Sequence, residues 1–150
     1  MYECVIRPAL IGDFDSIFPL LRQLWPDREL DEKALRTIFT RCLNLDNEKY
    51  FVADKDGIVV GFCSFTIKNS LWQGGYIGYI SELVVDSAFR RYGIGTALLN
   101  EVIACAAGKG CKRIELDSTF HREEAHAFYE KSGFKKSAIH FSRELATVYH

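Results

Sequence analysis

FRRYGIGTALL, residues 89–99, places two arginines and two glycines directly before the start of an amphipathic helix. Glycine lets a backbone approach a ligand closely, and the first turn of a helix offers unpaired N–H groups and a partial positive charge. Arginines beside that turn add fixed charge and forked hydrogen-bond donors. The stretch therefore predicts a binding site for a diphosphate, and the alternative is a tight strand-to-helix turn with solvated arginines.

Regular elements can be predicted on both sides of this stretch. Predicted helices begin at Asp13 and Asp31, which act as their caps, and two more cover about 95–107 and 122–132. Predicted strands cover 4–7, 50–55, 58–68, 76–85, 113–117, 134–136 and 139–145, with a loop at 69–75 and a hairpin turn at Asp56-Gly57. The order β-α-α-β-β-β-α-β-α-β predicts an α/β fold over residues 1–150, in one domain with a mixed, mostly antiparallel sheet flanked by helices.

Composition narrows the class of protein. The chain has 150 residues, of which 48% are hydrophobic and 26% charged, as in an ordinary globular domain. A net charge of -1 argues against a nucleic-acid partner, and the apolar runs are too short to span a membrane. The five scattered cysteines predict a reducing, cytoplasmic location. The sequence has no His/Cys cluster at metal-ligand spacing, so no metal site is predicted.

Two better-known phosphate-binding motifs fit the quoted stretch poorly. A Walker loop has Gly-Lys before its Ser or Thr, whereas Gly95 is followed directly by Thr96. A Rossmann site has a third glycine, and Leu98 occupies that place. The predicted hairpin also argues against a purely parallel sheet, so neither nucleotide fold is expected.

RRYGIG at residues 90–95 and AHAFYEKSGF at residues 125–134 together resemble two motifs of the GNAT family of N-acetyltransferases. RRYGIG, residues 90–95, is similar to the family's Arg/Gln-x-x-Gly-x-Gly/Ala motif and follows a strand that ends in LVVD, residues 83–86. AHAFYEKSGF, residues 125–134, is similar to its Ala-x-x-Phe-Tyr-x-x-x-Gly-Phe segment. The resemblance covers essentially the whole chain and implies an enzyme that uses acetyl-CoA.

The resemblance also implies which residues bind this cosubstrate. The pyrophosphate would be held by the backbone amides of Arg91, Tyr92, Gly93, Ile94, Gly95 and Thr96, with Arg90 beside them. The backbone of Leu83, Val84 and Val85 would pair with the pantetheine arm, and a backbone N–H there would polarise the acetyl carbonyl. Tyr129 would contact the cosubstrate and protonate the departing thiolate, and its alternative role is to fill the core.

The general base that the resemblance implies is a carboxylate on the strand before the loop. One common position for it falls at Tyr79, so Glu82 is the nearest candidate, and its alternative role is that of a polar residue on a partly solvated face. Three residues along a regular strand would put Glu82 on the opposite face from Tyr79, unless a bulge, typical of this family's strand, alters the alternation. Tyr79, Glu82 and His121 are the expected substrate contacts.

Within the family, the chain looks most like aminoalkylphosphonate N-acetyltransferases. The likeness lies in IGYISELVV, residues 77–85, and in the ending HFSREL, residues 140–145. It implies that the acceptor is the primary amine of a small molecule, and family members often dimerise through their terminal strands, which implies a homodimer. Two alternatives stay open: an N-acetyltransferase that acts on peptides, and a sensor that binds acetyl-CoA without catalysis.

Overall fold

The computed structural model describes residues 3–146 of the chain. They fall into two compact units, which meet in the sequence between Leu116 and Asp117. The prediction of a single domain over residues 1–150 stays a prediction. None of the described helices is long and apolar enough to cross a membrane.

The first unit is built on a five-stranded sheet in the order β1-β2-β3-β4-β5. The strands are β1 Val5–Pro8, β2 Glu48–Lys55, β3 Ile58–Ser70, β4 Gly75–Val85 and β5 Ile114–Leu116. Neighbouring strands are antiparallel except β4 and β5, which are parallel. The mixed, mostly antiparallel sheet is therefore confirmed.

Helices cover both faces of this sheet. The helices of the first unit are α1 Phe14–Leu24, α2 Glu32–Cys42 and α3 Ile94–Gly108, and the second unit contains α4 Glu123–Lys131. The buried side of α1 joins one core cluster with Phe62 and Val84 of the sheet. On the other face α3 packs so closely that a Cβ at Gly61 would lie 2.9 Å from Leu98 Cδ1. The α/β fold class is confirmed.

The two predicted helix caps have different outcomes. Asp31 caps α2, because its carboxylate accepts a hydrogen bond from the Ala34 N–H at 3.1 Å. Asp13 directly precedes α1, but its carboxylate makes no capping bond to that helix. It pairs with Arg7 Nη1 at 2.8 Å and accepts from the Leu10 N–H at 2.7 Å. The predicted capping role of Asp13 was wrong, since other donors occupy its oxygens.

One of the two hairpins of the sheet matches the prediction, and the other is tighter than the sequence indicated. Asp56 and Gly57 both have positive φ, 52° and 86°, which confirms the first predicted turn. In the second hairpin β3 and β4 pair as far as Ser70 and Gly75. The predicted loop at 69–75 was too long, because the backbone ladder continues through polar residues that single-sequence patterns assign to loops.

The strands predicted at 134–136 and 139–145 were wrong for the described part of the second unit, which contains no strand. The Phe134 N–H donates to the Tyr129 carbonyl at 3.0 Å and so completes the end of α4. Ile139, Phe141 and Leu145 alternate as in a strand, yet they are 72%, 87% and 85% exposed. A strand needs a partner for its backbone groups, and no described residue of this unit supplies one.

Candidate functional site

The glycine loop, residues 90–96, follows the short 3-10 turn Ser87–Phe89 that comes after β4, and it runs into the first residues of α3. Arg91 and Gly93 have positive φ, 70° and 82°. Gly93 is the N-cap of α3 and no side chain caps that helix, while a Cβ at Gly93 would meet nothing within 4 Å. The first-turn N–H groups of α3 therefore lie beside open space, which is the arrangement that binds anions.

Arg90 anchors this loop to the strand before it. Its Nε donates to the Val85 carbonyl at 3.0 Å. On the opposite side of the strand end, the Asp86 N–H donates to the Val60 carbonyl at 2.9 Å. The loop is therefore held against the sheet by backbone carbonyls, while the side chains of Arg90 and Arg91 remain exposed.

The last residues of β4 have one free backbone edge in the described chain. On one side Leu83, Val84 and Val85 pair with residues 61–63 of β3. On the other side, β4 pairs with β5 only from Gly78 to Ile80. The parallel strands thus diverge just before residues 83–85. Apart from the Val85 carbonyl, which accepts from Arg90 Nε, the backbone groups on this side can pair with an extended ligand.

A bulge in β4 puts Glu82 on the same face of the sheet as Tyr79. Tyr79 pairs with Thr66 and Glu82 with Ser64, so the register shifts by one residue at this point. Ser64 and Thr66 are two residues apart on β3 and share a face. Tyr79 and Glu82 therefore lie on the same face of the sheet, whereas a regular strand would have separated them.

Glu82 occupies a largely desolvated position on that face. Burial raises the pKa of its carboxyl, the hydrogen bond from Ser64 opposes the rise, and the negative charge of Glu48 adds to it. The Ser64 hydroxyl donates to Glu82 Oε1 at 2.6 Å. A carboxylate whose pKa is raised toward neutrality is a better proton acceptor at physiological pH than an unperturbed one.

A cleft of about 480 Å³ opens on the side of the glycine loop that faces β1. Tyr92, Gly93 and Ile94 line one wall, and Asp54 and Asp56 line the other. Carboxylates repel a diphosphate, so we expect an anionic ligand on the other side of the loop, toward the free edge of β4.

The model of the Acetyltransferase (GNAT) family matches residues 14–134, which is more than half of the chain. The chain belongs to the GNAT family. It is therefore an acyltransferase, and acetyl-CoA is its cosubstrate. This confirms the family and the cosubstrate that the two sequence motifs implied.

Relatives and solved structures agree with this assignment. An aminoalkylphosphonate N-acetyltransferase of Salmonella typhimurium is 35% identical over 145 residues, which are 97% of this chain and 94% of that protein. A Bacillus halodurans structure described as a transcriptional regulator has a TM-score of 0.89 at 29% identity and covers 95% of this chain and 100% of its own. Glucosamine-6-phosphate N-acetyltransferase of Arabidopsis thaliana has a TM-score of 0.80 at 26% identity, with 96% and 99% coverage.

The residues of this GNAT protein fit acetyl-CoA. The uncapped start of α3 offers its first-turn N–H groups to phosphate oxygens, and no side chain at Gly93 blocks them. The free edge at residues 83–85 suits the amide groups of an extended pantetheine arm. Both features lie in the first unit and are joined by the Arg90 hydrogen bond.

Tyr79, predicted to contact substrate, lies half-buried on the face that carries Glu82. Lys68 belongs to the same face, two residues beyond Thr66, and its Nζ lies 5.6 Å from the centre of the Tyr79 ring. The structure therefore brings two of the three expected substrate residues together, with a cation beside them.

The other predicted residues belong to the second unit. Tyr129 lies on α4, where its ring makes edge contacts with Phe128 and Phe134 at centroid distances of 5.4 and 5.9 Å. His121 lies in an exposed turn before α4. Within residues 3–146, no group of three His, Cys, Asp or Glu side chains is arranged to hold a metal ion.

Sequence reasoning missed Glu48, Tyr50 and Ser64, which surround Glu82. Their signal is the period-two alternation of β2 and β3: Glu48 and Tyr50 pair with Thr66 and Ser64 and so share their face. A serine and a threonine that interrupt the apolar run of β3 indicate a polar site, but the bulge that brings Glu82 to them leaves no mark in the sequence.

Proposed function

We propose that the protein acetylates the primary amine of a small molecule by direct transfer from acetyl-CoA, and that Glu82 is the general base. One observation carries the proposal: Glu82 is a desolvated carboxylate that directly precedes the free backbone edge of β4. An acceptor bound on its face reaches both a proton acceptor and the strand that would hold the acetyl group.

The chemistry follows from the state of the acceptor. An alkylamine is mostly ammonium at neutral pH and must lose a proton before it can attack. Glu82 takes that proton, and the neutral nitrogen forms a C–N bond to the acetyl carbonyl as the C–S bond breaks. A backbone N–H of residues 83–85 donates to the carbonyl oxygen. Acetyl-CoA, when bound, supplies the acetyl group as a thioester.

The departing sulfur requires a proton donor or stable solvation. We assign the donor role to Tyr129, on the strength of its position in the AHAFYEKSGF segment. The Tyr129 hydroxyl gives its proton to the thiolate. The nitrogen loses its second proton as the amide forms, and this proton passes through solvent to restore the Tyr129 hydroxyl, while the proton held by Glu82 returns to solvent. His121 is proposed as a substrate contact on the same basis of resemblance.

We propose an aminoalkylphosphonate as the acceptor. The relative from Salmonella that carries this activity in its name aligns with nearly the whole chain. Lys68, on the same face as Tyr79 and Glu82, provides positive charge for a phosphonate while Glu82 faces the ammonium. Tyr79 stands at a position where the family resemblance implies a carboxylate, so Glu82 is proposed as the base of this face.

An assay of CoA release tests the proposal. The acceptors are an aminoalkylphosphonate, the matching alkylamine without the phosphonate, a peptide with a free N terminus, and none. We expect turnover with both small amines and a higher kcat/KM for the phosphonate. Activity confined to the peptide, or binding of acetyl-CoA without turnover on any amine, would contradict it.

Two further features are proposed. The exposed, alternating Ile139, Phe141 and Leu145 suit a terminal segment that pairs with a second copy of the chain, so we propose a homodimer. Light scattering after gel filtration would show twice the chain mass. The cytoplasmic location that the cysteines predict is tested by cell fractionation.

A further inference from the structure

Ser64 closes the bulge that presents Glu82. It is 2% exposed and is the one buried polar side chain among the described residues. Its hydroxyl donates to Glu82 Oε1 at 2.6 Å and accepts from the Glu82 N–H at 3.2 Å. Ser64 thus accepts from the Glu82 N–H, which the bulge leaves without a partner in the strand ladder, and it also fixes the Glu82 carboxylate.

Glu48 is held in the same way one step along the sheet. Thr66 Oγ1 donates to Glu48 Oε2 at 2.9 Å, and these residues pair across β2 and β3. Two hydroxyls of β3, on one face, therefore each fix a carboxylate. The negative charge of Glu48 is close enough to raise the pKa of Glu82.

Other ionisable groups lie around Glu82, and one of them, Lys68, is an exposed cation on the same face of the sheet. Tyr50 lies on β2 and Cys63 on β3, and burial raises the pKa of both side chains. Cys42 of α2 forms a hydrogen bond with Tyr50. The buried side of α1 is apolar. Burial has the largest effect on the pKa of Glu82, and among the described residues Ser64 and Glu48 are the groups that modify it further.

Resting on the proposed function, we infer that Ser64 is a positioning residue that holds the Glu82 carboxylate in place, and that Glu48, which Thr66 fixes on the same face, adjusts the readiness of Glu82 to take the acceptor proton. They act in opposite directions. The Ser64 hydroxyl stabilises the ionised carboxylate, whereas the charge of Glu48 favours the protonated form. Neither residue needs to contact the reacting atoms.

The experiment is a titration of the Glu82 carboxyl by NMR, using protein labelled at the glutamate carboxyl carbon and assigned with Glu82→Gln. We expect Ser64→Ala to raise the pKa of Glu82 and Glu48→Gln to lower it. Ser81→Ala, which removes an exposed hydroxyl at the bulge, and Glu101→Gln, which removes an exposed charge on α3, are the controls and should leave the titration unchanged.

The pH profile of kcat/KM supplies the second measurement. Only ionised Glu82 accepts a proton, so activity falls as the pH drops below the Glu82 pKa. Ser64→Ala should move this acidic limb to higher pH, with a several-fold loss below it, and Glu48→Gln should move it to lower pH. If Ser64→Ala does not fold, Glu48→Gln still tests the inference, because it leaves the bulge intact.

The outcomes separate the two proposals. The inference is overturned, while wild-type turnover stands, if the pKa of Glu82 shifts in the same direction in Glu48→Gln and Ser64→Ala or does not shift in either. It is also overturned if the controls shift that pKa as much. The inference would also be overturned if the variants shift the NMR titration of Glu82 but leave the acidic limb of the kcat/KM profile unchanged. Opposite NMR shifts in a protein that acetylates no amine would instead refute the proposed function and leave the tuning of Glu82 established.

Discussion

Arg91 and Gly93 adopt positive φ within three residues, and this backbone turns the start of α3 toward open space. A non-glycine residue in that region costs roughly 1–2 kcal/mol. The hydrogen bond from Arg90 to the Val85 carbonyl helps to hold the strained segment in place. At the residue scale, the site is therefore shaped by backbone conformation as much as by side-chain identity.

Tyr129 gives a prediction at the same scale. Tyr129→Phe keeps the ring that contacts Phe128 and Phe134 and removes only the hydroxyl. We expect kcat to fall about tenfold to a hundredfold, because loss of a general acid has effects of this order or larger. Calorimetry should give an unchanged Kd for acetyl-CoA. An unaltered kcat would show that Tyr129 only packs in the core and does not act as the general acid.

Among the elements, prediction succeeded where the local sequence decides the conformation. Asp56-Gly57 supplies two residues that tolerate positive φ, and Asp31 supplies a carboxylate three residues before the N–H that it caps. The bulge opposite Ser64 was not predictable in position, because it depends on how β3 and β4 align. Residues 139–145 alternate apolar and polar side chains as a strand does, yet they form no strand. An alternating pattern does not by itself supply a neighbouring strand for the backbone groups.

The capping bond of α2 can be tested directly. Asp31→Ala removes the acceptor of the Ala34 N–H and should lower the free energy of unfolding by about 1 kcal/mol. Urea unfolding measures the change. Asp31→Asn keeps a side-chain oxygen in the same place and should retain most of the stability. Equal loss in both variants would show that charge, rather than the capping bond, matters there.

At the scale of the whole molecule, β1, the start of α1 and the end of β2 are joined by Arg7. Its guanidinium contacts Asp13 at 2.8 Å and Asp54 at 3.0 Å. The hydrogen bond from Arg7 lowers the pKa of Asp13, burial opposes this, and the Leu10 N–H adds to the lowering. A carboxyl whose folded-state pKa is lowered stabilises the fold above its unfolded value, about 3.9, and loses that contribution as the pH falls.

The free energy of unfolding should therefore decrease on acidification below about pH 5, in part through Asp13. Asp13→Asn should lower stability by about 1–2 kcal/mol at pH 7 and make this decrease shallower. The matched control is Asp15→Asn, in the first turn of α1, whose side chain is 76% exposed and should contribute little. An identical pH dependence in wild type and Asp13→Asn would contradict the assignment.

Calorimetric titration of two glycine variants tests whether the glycine loop holds the diphosphate of acetyl-CoA. Gly93→Asp and Gly110→Asp introduce the same side chain at the same φ, 82°, beyond opposite ends of α3, where a Cβ meets nothing within 4 Å. They therefore share the backbone cost, but only Gly93→Asp puts a carboxylate beside the loop amides. We predict micromolar binding for wild type and Gly110→Asp and severe loss for Gly93→Asp. Equal affinity in both variants would contradict the account.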